Sequence, residues 1–324
     1  MATSMEEMNQ DLLSQSGFSL MPETDRFRPM GQCWKMSPEI GHGQFWTYSE
    51  QELFDIKIHD FRFNEDFPID FTVPGYLSIT YYSSVSGEQL TPYRRLSAGC
   101  IQCFMGGDAP YKILMHKHIP IRSVGIGISP TYYQEYLRTK YPAEYVNPYF
   151  AFEQFDQEQE FPELVFLLKQ IENYRGEGIS AKLFYEGKVA EIIALIVERQ
   201  KTFPENTKET KLPPRDIKLI DNAVSYINDH YSRKIPLERL SQIACMGTTK
   251  FKTSFKLLYG CTVSHYVQQR RLSHAECLLA DTDLTVDQIA KCVGYSTSSH
   301  LARLFQQSTG LTPLEYRKMA TGKR

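Results

Sequence analysis

The chain runs to 324 residues, 42% of them hydrophobic and 23% charged, with a net charge of −2. That length exceeds one comfortable core and points to two domains of ordinary size, and no stretch approaches the length of a membrane-spanning helix. Seven cysteines, an odd number behind an opening MATSMEEMNQDLL that lacks the pattern of a secretory signal, argue against a disulfide framework and for a cytoplasmic protein with reduced thiols.

The charge is unevenly spread. From Leu212 onward there are 16 Lys and Arg against 9 Asp and Glu, a net of +7, which leaves −9 upstream. A basic C-terminal module behind an acidic N-terminal one suits a nucleic-acid binder joined to a sensing or assembly domain.

Residues 1–40 show no sustained period and read as a loosely ordered or partly helical leader. From Gly41 the texture changes. Segments 53–59, 75–82, 95–104, 111–116 and 121–128 are rich in β-branched and aromatic residues, and several alternate with period two. Gly87-Glu88, Gly106-Gly107-Asp108 and Pro120 punctuate them at the spacing of an antiparallel sandwich or small barrel. Helices are predicted over 130–137, 161–174 and 181–200. In the last, Val189, Ile192, Ile193, Ile196 and Val197 form one apolar stripe, which either packs on the sheet or also pairs with itself in a dimer. A domain over 41–200 results. Residues 201–215 (KTFPENTKETKLPPR) are polar, hold three prolines and read as a linker.

Residues 216–324 form a second domain. It opens with a helix over 216–231 whose Ile217, Ile220, Val224 and Ile227 face inward. One helical pattern then occurs twice, over 236–260 and 285–310. With Pro236-Leu237 set beside Thr285-Val286, Leu240 falls on Ile289, Ala244 on Val293, Met246 on Tyr295 and Gly247 on Ser296. After a one-residue offset, Phe251 falls on Leu301, Phe255 on Phe305, Gly260 on Gly310 and Tyr266 on Tyr316. Each copy reads as a short helix, a tight turn and a longer helix, the arrangement of a helix-turn-helix.

The apolar seams of the longer helices turn a polar set outward. In the first copy this comprises Thr248, Thr249, Lys250, Lys252, Thr253 and Lys256; in the second, Ser296, Ser298, Ser299, His300, Arg303 and Gln306. A guanidinium can fork onto guanine, an amide can read adenine, and hydroxyls and ammonium groups suit base edges or phosphates. Between the copies, residues 262–280 read as one long helix carrying Arg270 and Arg271. Such a spacer can hold two reading helices about one DNA turn (~34 Å) apart.

At these residues the sequence resembles the AraC family of bacterial transcription regulators. The resemblance covers roughly Ile217 to Lys318, and IAKCVGYSTSSHLARLFQQSTGLTPLEYR, ending at Arg317, is similar to the family's second-motif signature almost throughout. Gly247 departs from the Ser that usually opens the first reading helix, and glycine remains an acceptable N-cap. The resemblance implies that helices over 248–259 and 297–309 enter DNA, with Thr249, Lys252, Thr253, Ser298, Ser299 and Arg303 at base-facing positions. It also implies an α+β multidomain protein: an N-terminal cupin-like antiparallel β-barrel with helices, and a C-terminal all-α domain of two helix-turn-helix motifs joined by a long helix. Its implied partners are double-stranded promoter DNA, a small-molecule effector, a second copy of the chain and RNA polymerase.

Other chemistry is poorly supported. Cys100 and Cys103 have metal-ligand spacing, and His116 and His118 could complete a set, but on a strand an odd separation sends the two thiols to opposite faces. Gly125-Ile-Gly127 lacks the third glycine of a dinucleotide fingerprint, and no catalytic constellation, metal site or cofactor is expected. Aromatic residues Tyr76, Tyr82, Tyr93, Phe104 and Tyr111, with Arg94 and Arg95, suggest an effector pocket; Tyr82, Tyr93 and Arg95 are the candidates to touch the effector. Two rivals to an effector-responsive regulator are a cupin-type metalloenzyme with an accessory helical domain and a constitutive DNA binder whose barrel only dimerises.

Overall fold

The computed structural model describes residues 5–25, 27–90, 93–107, 110–155, 161–200 and 212–322. They fall into two compact units: residues 1–86 with 98–204, and residues 87–97 with 205–324. Most of the expected linker, 201–211, lies outside the described residues.

The first unit opens with helix α1 (Met5–Gln15), followed by strands β1 (Phe18–Leu20), β2 (Gln32–Met36), β3 (Gly41–Glu50), β4 (Phe54–Phe63), β5 (Phe67–Phe71) and β6 (Leu77–Ser84). A short hairpin belonging to the other unit intervenes, made of β7 (Gly87–Leu90) and β8 (Tyr93–Leu96). The first unit resumes with β9 (Ile101–Met105), β10 (Tyr111–Met115) and β11 (Ile121–Ile128). A helical turn over Thr131–Tyr136 then runs into α2 (Leu137–Lys140), followed by α3 (Pro148–Phe155), α4 (Pro162–Asn173) and α5 (Gly178–Gln200).

Seven strands make one antiparallel sheet in the order β1-β2-β3-β4-β11-β6-β9, and β5 pairs antiparallel with β10. Two strands of this sheet fall within the segment read as a leader. At three and five residues they are too short to display a period, so composition alone hid them. Predicted strand 95–104 divides into β8 and β9 around Gly99, whose φ of 75° only glycine adopts easily.

Alternation assigns the two faces of the sheet different chemistry. Phe54, Ile56 and Ile58 of β4 point to one face with Val124, Ile126 and Ile128 of β11 and Leu77 and Ile79 of β6. Helices α3 to α5 cover that face and complete the core with Phe152, Leu164, Leu168, Val189, Ile192, Ile193 and Ile196. The apolar stripe of α5 is therefore spent on the sheet. Cys103 joins the same core, and no group of His, Cys, Asp and Glu among the described residues could hold a metal. No described helix is long and apolar enough to cross a membrane.

On the other face, β4 carries Asp55, Lys57 and His59, opposite Gly127, Gly125 and Ser123 of β11. Fully buried Asp55 accepts from Tyr76 Oη at 2.7 Å and Asn9 Nδ2 at 2.9 Å, and Lys57 Nζ lies 3.1 Å away. A Cβ at Gly127 would collide with the Tyr76 hydroxyl, so glycine there makes room for this network. Burial and the Asp55 charge hold the Tyr76 phenol well above its ordinary pKa. Phe71, Phe104 and Tyr111 form an aromatic cluster nearby in the unit, and Gln102 Nε2 donates to Tyr111 Oη at 2.6 Å.

His59 Nδ1 lies 2.7 Å from Ser123 Oγ, and burial, helped by Lys57, lowers its pKa from 6.5 to about 3. An unfolded chain takes up this proton near pH 6.5, whereas the folded one resists until about pH 3. Stability should therefore fall with pH through that window by up to ~1.4 kcal/mol per pH unit. Replacing His59→Gln should flatten the fall. Urea midpoints measured between about pH 4 and 7 check this, and parallel curves for both proteins would contradict it.

Among the described residues the second unit contains the β7–β8 hairpin and seven helices: α6 (Pro214–His230), α7 (Leu237–Ile243), α8 (Thr248–Tyr259), α9 (Val263–Asp281), α10 (Val286–Val293), α11 (Ser298–Thr309) and α12 (Pro313–Thr321). Local signals set most boundaries. Thr262, Thr285, Thr297 and Thr312 cap helix starts through their side chains, with full capping boxes at Thr285 and Thr312. Gly260 and Gly310 end α8 and α11 in the left-handed conformation.

Candidate nucleic-acid interface

Helices α8 and α11 are positioned by two matching seams. Phe251 and Phe255 of α8 are fully buried with Ile220, Ile227, Leu240 and Tyr266. In the second copy Leu301 and Phe305 of α11 are equally buried, and Phe305 meets Tyr316 edge to face at 5.2 Å. The turns close alike: Met246 N donates to Ser241 O at 2.9 Å, and Tyr295 N to Ala290 O at 2.8 Å. Cys245 takes φ 49° where the second copy has Gly294 at 91°. The one-residue offset lies in this turn, because Gly247 caps α8 whereas Thr297, one place beyond Ser296, caps α11.

Seams of this kind leave the opposite faces in solvent. Thr248, Thr249, Lys250, Lys252, Thr253 and Lys256 are all exposed on the first copy. On the second, Ser296, Ser299, His300, Arg303 and Gln306 are exposed and Ser298 is half-buried. Lys252 and Lys256 stand on one face of α8, and among the described residues Arg303 makes a long 3.4 Å bond to Gln307, within its own helix. Lys250 is paired with Asp216 at 2.7 Å, and the His300 ring packs edge-on against Tyr295 at 5.2 Å. Both can still swing toward a phosphate, since each lies at the surface. Thr253 bonds back to Thr249 O at 3.1 Å, which fixes its hydroxyl along the helix.

The turn of the second copy is tied to the loop ahead of the first by a residue whose partners periodicity does not reveal. Arg271 of α9 donates through Nε to Tyr231 O at 2.8 Å, through Nη1 to Gly294 O at 2.9 Å and through Nη2 to Arg233 O at 3.1 Å. It thus joins the loop after α6 to the turn of the second copy through three donors held in one planar fork.

Residues 240–319 match the family described as Helix-turn-helix domain. Among curated proteins, the bifunctional transcriptional activator/DNA repair enzyme AdaA of Bacillus subtilis is 32% identical over 110 residues, covering 34% of this chain and 51% of its own. The arabinose operon regulatory protein of Escherichia coli is 26% identical over 135 residues, 41% of this chain and 46% of that protein. The C-terminal helical repeat is an AraC-type helix-turn-helix domain. A solved DNA-binding domain of AdpA, in complex with a target DNA, is 24% identical over 33% of this chain and 96% of its own, with a TM-score of 0.31. This chain spans about half the length of the two curated relatives.

The three candidate effector residues belong to two different units. Tyr82 sits on β6 of the first unit, buried, with its phenol pushed up to about 12 by desolvation. Tyr93 and Arg95 sit on β8 and belong to the unit that holds the AraC-type domain. Tyr93 Oη is 2.8 Å from Ser273 Oγ of α9, and burial followed by the Glu88 charge raises its pKa. Arg95 is expected to touch the effector, and as a cation it suits a carboxylate or a phenolate. It does meet a carboxylate, that of Glu276 on α9.

Proposed function

We propose that the chain is a sequence-specific transcription regulator that reads tandem half-sites in successive major grooves and responds to a small-molecule effector. The observation that carries this reading is the duplicated seam, which buries Phe255 and Phe305 alike and leaves Lys252, Lys256 and Arg303 facing solvent. Exposed cations on two such helices suit phosphate and base-edge contacts, and the face of α8 carries no acid to oppose them. The named relatives are activators and regulators, which supports the same role here.

The effector reading is supported by the polar face of the first unit's sheet. Lys57, Asp55, Tyr76, Gln102 and Tyr111 place charges, hydroxyls and an amide there beside aromatic surface, as a small-molecule site in a cupin-like barrel would require. Tyr82 lies on the neighbouring strand, opposite Ser123. Pairing with a second copy and recruitment of RNA polymerase in the cytoplasm complete the proposal.

Duplex binding by the purified chain, followed by fluorescence anisotropy in rising salt, tests the DNA part: log affinity should fall linearly with log salt. A metabolite panel in thermal-shift format tests the sensing part, since a ligand that binds only the folded protein raises its Tm with concentration. Absence of duplex binding at low salt would overturn the regulator. A wholly silent panel alongside sound DNA binding would favour a constitutive binder.

A further inference from the structure

The hairpin of β7 and β8 is out of place by sequence. It leaves the first unit after Ser86 and returns to it at Ala98, between strands β6 and β9 that pair with each other in that unit's sheet from Leu77↔Met105 to Tyr81↔Ile101. Yet its side chains are built into the helical unit. Its register sets Glu88 opposite Arg95 and Leu90 opposite Tyr93. Tyr93 donates to Glu88 Oε1 at 2.8 Å, meets the Tyr266 ring edge-on at 5.6 Å, and has the Arg270 guanidinium 4.4 Å above its own ring.

Arg95 goes deepest. Its side chain is 0% exposed and that of Glu276 1%, so the two charges face each other out of water. Nε donates to Glu276 Oε2 at 3.2 Å, Nη2 donates to Glu276 Oε1, and Nη1 donates to Ser308 Oγ. Ser97 Oγ adds a second contact to Ser308 Oγ at 3.1 Å. Glu276 is on the spacer helix α9, and Ser308 is in the last turn of the second reading helix α11. One guanidinium therefore bridges the spacer to the far end of a reading helix. A planar fork is suited to fixing an angle in this way, since both edges are hydrogen-bonded at once.

A buried pair of this type is weak evidence for stability, because desolvation offsets most of its attraction. Holding α11 at one setting relative to α9, and so relative to the first reading helix, is what the geometry does supply.

We propose that the 87–97 hairpin is a positioning element for DNA reading: Arg95, clamped between Glu276 and Ser308, sets the relation of the two reading helices and hence the half-site spacing the protein accepts. This rests on the regulator reading above. Both ends of the hairpin are continuous with paired strands of the other unit, so a change at β6 or β9 has a covalent route to α11. Regulation of the DNA site would then consist in tightening or releasing this clamp, which alters spacing preference rather than base preference.

The test uses the full chain and a tandem duplex selected by the wild-type protein from a random library. Affinity is measured for that duplex, for versions with one to four base pairs inserted between half-sites, and for a single half-site. Removing Arg95 alone would leave the buried Glu276 carboxylate without its guanidinium and risk misfolding, so the informative variant is the double change Arg95→Met with Glu276→Leu, accompanied by Ser308→Ala as a milder one. Wild type should show a sharp spacing optimum. The double variant should hold the single half-site with wild-type affinity while its preference for the optimal spacing drops roughly tenfold, and Ser308→Ala should fall between. A spacing profile unchanged in the double variant overturns the clamp. So does uniform weakening on every duplex with a lowered Tm, the signature of a merely structural role. If the wild type selects no duplex, the regulator reading fails first and the clamp goes with it.

Discussion

Replacing Arg303→Ala should relax sequence preference at one base position of the operator while leaving the rest of the site intact. Arg303 stands exposed on α11, bonded only weakly within its own helix, so its guanidinium is available to fork onto a guanine. Loss of such a contact costs ~1–3 kcal/mol of discrimination, roughly 5- to 150-fold, against the other bases at that position. Lys256→Ala is the matched control. As a point charge on the outer face of α8 it should weaken all duplexes alike and reduce the salt slope by about one. A panel of duplexes varied one base pair at a time separates these patterns; uniform weakening by Arg303→Ala would remove it from the base-reading set.

The second large effect lies inside the seams. Phe255 and Phe305 are aligned by the repeat and both are fully buried, so Phe→Ala at either should leave a cavity that its neighbours cannot fill and cost ~3–5 kcal/mol. Leu257, 51% exposed on the same helix as Phe255, should lose less than about 0.5 kcal/mol as alanine. Urea unfolding monitored by circular dichroism gives all three values. If Phe305→Ala cost no more than Leu257→Ala, the second seam would not be the support of α11 that its packing indicates.

The helical repeat was legible because its information is local. Seams recur at three- and four-residue spacing, threonines open helices, glycines close them, and the two copies corroborate each other. The turn illustrates the limit: Cys245 adopts a conformation that its residue type does not advertise, and only its twin Gly294 signals it. In the first unit the alternating stretches were readable, but β1 and β2 were too short for a period. The polar face around Asp55 depends on partners such as Asn9, 46 residues distant. Least legible was the hairpin. Arg95 and Glu276 are separated by 181 residues, and nothing in either local sequence announces the other. An arginine on a predicted strand suggested contact with an effector, and long-range topology gives it a protein carboxylate. The partners of Arg271 were hidden for a similar reason, since its three acceptors are backbone carbonyls, which every residue possesses.

The most direct measurement is a methylation-interference footprint of the full chain on its selected duplex, which reports guanine N7 atoms covered in the major groove. Two patches on one face of the DNA, centred about one helical turn (~10 base pairs) apart, are the expected result, with the patch under α11 lost in Arg303→Ala. A single patch, or two on opposite faces of the duplex, would contradict paired reading helices acting on successive grooves.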